Sequence, residues 1–107
     1  MKKIKLKLTY DELMAIDATV SAYEHTQFLH IRNYAQKSAT ALLIEWWLAK
    51  LKPKTYIRYH GEKTLAISLP VACSMVSFYH TININDIYVD NVWREITQLI
   101  DTQIPKL

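Results

Sequence analysis

Residues 52–69, KPKTYIRYHGEKTLAISL, decide how this chain folds. Two runs within them, TYIRY and TLAISL, alternate apolar with polar side chains, and the chain's only glycine, Gly61, lies between them in HGEK. Alternation at period two marks a strand with one buried and one wet face. Glycine supplies the positive φ that a tight turn requires. The stretch therefore predicts a β-hairpin, with Ile57 and Tyr59 facing inward on its first strand and Leu65, Ile67 and Leu69 on its second. Pro53, which lacks a backbone N–H, is read as the end of the helical pattern before it.

Upstream, Ile4, Leu6 and Leu8 alternate with Lys3, Lys5 and Lys7, which predicts another strand. Thr9 then opens TYDE, a capping box in which the hydroxyl of Thr9 and the carboxylate of Glu12 satisfy free donors at a helix start. Leu13, Ile16, Val20 and Tyr23 carry this helix to about Glu24, and EHTQ supplies a connection with Thr26 as the next N-cap. Over residues 28–52, Ile31, Ala35, Leu42, Trp46 and Ala49 form a stripe that Leu43 and Trp47 widen. One helix over residues 10–52 is the alternative. Two are preferred, because helices average about 11–12 residues and one so long would hardly pack in a small domain.

Downstream, Pro70 suits an early helical position, and Val71, Met75, Phe78, Tyr79 and Ile82 share one helical face over residues 70–82. The β-branched and aromatic residues there leave a strand as the alternative. After NIND, the residues Val89, Val92, Trp93, Ile96, Leu99, Ile100 and Ile104 repeat at helical spacing up to Pro105. The expected fold is α+β in the order β-α-α-β-β-α-α, with a small antiparallel three-stranded sheet covered on one face by about four helices. At 107 residues the chain is expected to form a single compact domain over residues 1–107.

Half the residues are hydrophobic and 21% are charged, which suits a folded chain rather than a disordered one. The lone Cys73 has no intramolecular disulfide partner, so a reducing, cytoplasmic setting is expected. The opening MKKIKLKL is interrupted by lysines and lacks the apolar core of a secretion signal. Residues 64–85 carry no formal charge, but Pro70, three serines, His80 and two asparagines are poorly suited to lipid, so no membrane partner is expected.

Charge is segregated along the chain. Residues 1–8 hold four lysines and no acid, and residues 50–63 hold five bases against Glu62, within a net charge of +3. On the hairpin reading, Lys3, Lys5 and Lys7 share an outer sheet face with Lys54, Tyr56, Arg58 and His60, over a floor of Thr64, Ala66 and Ser68. Such a face offers lysines to phosphates and an aromatic ring to a base, so DNA or RNA is an expected partner. The plainer reading is that exposed strands carry lysine for solubility and against edge-to-edge aggregation. No named nucleic-acid reader motif occurs.

Trp46 and Trp47 point about 100° apart on a helix, so one of them is a candidate anchor for a partner or a homo-oligomer, although burial of both in the core is the preferred reading. Cys73 and His80, seven residues and about 10 Å apart along a helix, are too distant for one to activate the other, so Cys73 is read as a buried inert thiol and no catalytic residue is assigned. His25, His30, His60 and His80 lack metal-ligand spacing, and one glycine makes neither a P-loop nor a dinucleotide fingerprint. No metal or cofactor is expected. The sequence thus points to a small intracellular non-enzymatic binding module with a basic sheet face that contacts nucleic acid. The alternative is an assembly subunit, a homo-oligomer with no nucleic-acid role.

Overall fold

A computed structural model describes residues 3–26 and 34–104. Strand β1 (Lys3–Thr9) leads into α1 (Tyr10–Thr26); α2 (Tyr34–Trp46) continues as a π turn (Trp47–Leu51) and a 3-10 turn (Lys52–Tyr56); then follow β2 (Glu62–Ser68), α3 (Leu69–Thr81) and α4 (Ile87–Gln103). The class is α+β with four helices among the described residues. The sheet is antiparallel, and its register runs from Lys3 opposite Ser68 to Thr9 opposite Glu62.

Two expectations about this architecture are overturned. Among the described residues the sheet has two strands, not three, and the order is β-α-α-β-α-α rather than β-α-α-β-β-α-α. The stretch TYIRY is not a strand. Its first two residues close the 3-10 turn, and residues 57–61 form an irregular link into β2. Side chains, not a ladder, hold this link: the Tyr59 hydroxyl donates to Leu8 C=O at 2.9 Å, and the Tyr10 hydroxyl donates to Thr55 C=O at 2.6 Å. Ile57, expected inside, is 77% exposed. Gly61 does take the positive φ of a turn, +72°, but at the entry to β2 rather than at a hairpin tip.

Pro53 does not end the helical path either. Its ring crowds the carbonyl four residues back, so a regular α-helix stops short of it. The chain widens instead, with Lys52 N–H bonded to Trp47 C=O, and then tightens into the turn that contains Pro53. The buried stripe accordingly falls on Leu43, Trp47 and Leu51, while Leu42 and Ala49 are exposed and Trp46 is half-buried. Of the other stripe residues expected here, Ile31 lies outside the described residues, as do the end of EHTQ and His30.

Helix α1 runs on to Thr26, so that residue is not the N-cap expected of it, and Leu69 opens α3 instead of ending a strand. Several other local signals match the structure. Thr9 N–H donates to Glu12 Oε1 at 2.9 Å and Glu12 N–H to Thr9 Oγ1 at 3.2 Å, the reciprocal pair of a capping box. Residues 70–82 are helical up to Thr81, with Pro70 in the first turn. Asp86 caps α4 by accepting from Val89 N–H at 3.0 Å. Ile4, Leu6, Leu8, Leu65 and Ile67 bury the inner face of the sheet against the helices. Beyond them Tyr23, Phe78 and Trp93 pack ring on ring, with centroids 4.9 Å and 5.4 Å apart. No helix among the described residues is long and apolar enough to cross a membrane.

Candidate functional site

The alternation of β1 sends Ile4, Leu6 and Leu8 into the core and leaves Lys3, Lys5 and Lys7 exposed on the other face. Opposite them in register stand Ser68, Ala66 and Thr64, so the wet face of the sheet pairs each lysine with a small side chain. The small side chains of β2 expected as a floor are present with the lysines of β1 on one side, but the basic strand expected on the other side is not found among the described residues.

Beside β2 lies a groove of about 480 Å³, walled by Lys3, Trp46, Lys50 and Lys54 and floored by the strand from Thr64 to Ser68. Trp46, Lys50 and Lys54 follow one another at four-residue steps, which keeps them on one side of the helical path. A smaller hollow of about 230 Å³ adjoins it at Lys54, Thr64 and Leu65, lined mainly by Pro53, Ile57, Tyr59 and Leu8 with Lys63 at its rim. Neither lining contains a carboxylate. Lys5 and Lys7 share the exposed face of β1 with Lys3 but line neither hollow.

Tyr56, Arg58 and His60 are not on the sheet, because their segment is not a strand. Tyr56 is 72% exposed, His60 is exposed, and the Arg58 guanidinium lies 5.6 Å from the centre of the Tyr10 ring. Tyr59, beside them, carries Lys63 over its ring at 4.7 Å. Burial raises the Tyr59 pKa, and the nearby Glu12 and Tyr10 raise it further.

The two tryptophans separate. Trp47 is 2% exposed, its Nε1 donates to Asp17 Oδ1 at 2.6 Å, and Lys52 Nζ sits 4.8 Å from its ring. Trp46 is half-buried in the groove wall. Cys73, expected to be buried, is exposed on α3, as is His80. Among the described residues no three His, Cys, Asp or Glu side chains come together as a metal site.

Lys50 and Lys63 are site residues that strand reasoning did not single out. The signal for Lys50 was the four-residue spacing from Trp46 through Lys50 to Lys54. Lys63 carried none, since its place depends on where the link before β2 packs. No protein-family model, no curated protein and no solved structure matches the chain.

Proposed function

We propose that the protein is a binding module, not an enzyme, whose lysine-bearing side takes an extended anionic partner. The observation that carries this reading is a groove walled by Lys3, Lys50 and Lys54, without a carboxylate in its lining and continuous with the exposed face of Lys5 and Lys7. Segregated cations of this kind raise the local concentration of polyanions and steer their approach. Nucleic acid and acidic polypeptide both carry the required charge. Trp46 between the lysines offers a ring for an exposed base, and the backbone of β2 offers groups that a polypeptide can pair with.

The test is fluorescence anisotropy with labelled single-stranded DNA, single-stranded RNA and polyglutamate across a salt series. For a nucleic acid held by four lysines, affinity falls about 50-fold between 50 and 200 mM salt. Lys5→Glu combined with Lys54→Glu removes the binding. Absence of binding to all three polymers at low salt overturns the proposal. Self-association through Trp46 is the competing reading, and light scattering over a concentration range separates the two: a dimer that Trp46→Ala dissolves would support it.

A further inference from the structure

The two edges of the sheet are treated differently. Gln103, at the end of α4, bonds both backbone groups of Lys5: Lys5 N–H donates to Gln103 Oε1 at 2.9 Å, and Gln103 Nε2 donates to Lys5 C=O at 2.7 Å. Both groups of Lys5 therefore point away from β2. In an antiparallel pair, facing residues either exchange both hydrogen bonds or neither, and the two kinds alternate along the ladder. Lys5 faces Ala66, so this pair exchanges none, and the pair of Lys7 with Thr64 exchanges none either. The N–H and C=O groups of Ala66 and Thr64 then point to the far edge of β2, the floor of the basic groove. Among the described residues, no strand pairs with that edge and no hydrogen bond reaches Thr64 or Ala66 from it.

From this geometry we infer that the groove is a strand-addition site for an extended acidic segment of a partner protein, which pairs with the free edge of β2 and seats one apolar side chain in the adjoining hollow. The inference rests on the proposed anionic-partner reading and narrows it to polypeptide. Edge pairing draws affinity from main-chain bonds, while pockets for alternate side chains give selectivity. At about 230 Å³ the hollow is below the range of about 300–1,000 Å³ typical of small-molecule pockets, and its apolar lining of Pro53, Ile57, Leu8 and Leu65 suits a single side chain.

Charge selects the occupant. Lys3, Lys50, Lys54 and Lys63 surround the two hollows with no acid among them, so the entering segment carries the acids. A second copy joined edge to edge would bring both sets of four lysines to one seam. Like charges so placed are destabilising, which disfavours that occupant. Nucleic acid would satisfy the lysines but has no amides and carbonyls at strand spacing to meet those of Thr64 and Ala66.

The decisive variant is Ala66→Pro. The N–H it deletes faces the free edge, so the ladder to β1 keeps its bonds, and proline is tolerated at such edge positions. The probe is a labelled seven-residue peptide alternating glutamate with valine and leucine, beside a twin with N-methyl groups on its edge-facing amides. Binding by the first peptide, shifts of the Thr64 and Ala66 amide resonances, and a loss of about tenfold or more for the twin and for Ala66→Pro support strand addition. Equal binding by the twin, or unchanged binding by folded Ala66→Pro, overturns it. Should Ala66→Pro not fold, the twin alone decides. Binding of single-stranded RNA or DNA with no peptide binding up to millimolar concentration also overturns it, while leaving the anionic-partner reading intact. Loss of all binding to charged polymers removes both.

Discussion

Gln103 and Lys5, 98 positions apart in the chain, share two hydrogen bonds through one carboxamide. The side chain stands where a neighbouring strand would stand and closes one edge of β1. Gln103→Leu keeps the stem and removes both bonds. Net contributions of about 0.5–1.5 kcal/mol each put the loss at about 1–3 kcal/mol. Hydrogen exchange at the Lys5 amide should quicken locally, and Gln103→Glu, which retains the acceptor, should slow it again in part.

Trp47 and Asp17 give a second measurable pair. The indole N–H reaches Asp17 Oδ1 at 2.6 Å, and a hydrogen bond to a charged group contributes about 1.5–3 kcal/mol. Trp47→Phe deletes the donor, and Asp17→Ala strands it in the core. Urea unfolding of both single variants and the double variant should show a coupling of about 1 kcal/mol or more, as contacting residues do.

Alkaline pH should weaken the fold through Tyr59. Its pKa is raised above the ordinary 10.0 by burial first and by Glu12 and Tyr10 second, so the folded state holds the hydroxyl proton more tightly than the unfolded chain. The stability from this tyrosine is complete below pH 10.0 and is lost as pH climbs through the folded value. Tyr59→Phe should be less stable at neutral pH, for want of the bond to Leu8, and should lose less on the way up. Thermal melts at stepped pH check both halves, with Tyr23, also raised by burial, adding to the slope that remains.

Gly61 is conformationally demanding and sterically free. Its φ is +72°, and nothing lies within 4 Å of where a Cβ would stand. Gly61→Ala should cost about 1 kcal/mol from backbone strain alone, and Gly61→Asn less, because asparagine tolerates that region. Chemical denaturation with an unchanged m-value would show that the effect is local.

The parts of this fold legible in the sequence are those set by neighbours. Thr9 and Glu12 lie three residues apart and announce their helix without outside help, and the alternation from Lys3 to Leu8 needs only one buried face. The reading of TYIRY as a strand failed because alternation states where side chains point, not whether the backbone finds a partner. Tyr59 is held by Leu8 and Thr55 by Tyr10, contacts that cross about fifty residues and leave no local trace. On α2 the stripe was misplaced by one position, on Leu42 and Trp46 rather than Leu43 and Trp47, because apolar residues stand side by side at both places and only tertiary packing chooses which face goes inward. The lysines of β1 were visible for the same local reason. Lys63 was not, because tertiary packing alone brings it to the rim.

The ladder between β1 and β2 also sets an order of events during synthesis. Thr9 meets Glu62 in that ladder, with α1 and α2 lying between them in the chain. At elongation rates of about 5–20 residues per second, β1 waits about 3–10 s for the strand it pairs with to be made. Throughout that interval Ile4, Leu6 and Leu8 depend on the early helices for shelter. A ribosome paused before Glu62 would display them beside an unpaired edge, the state in which this chain is most open to chaperones and to wrong partners.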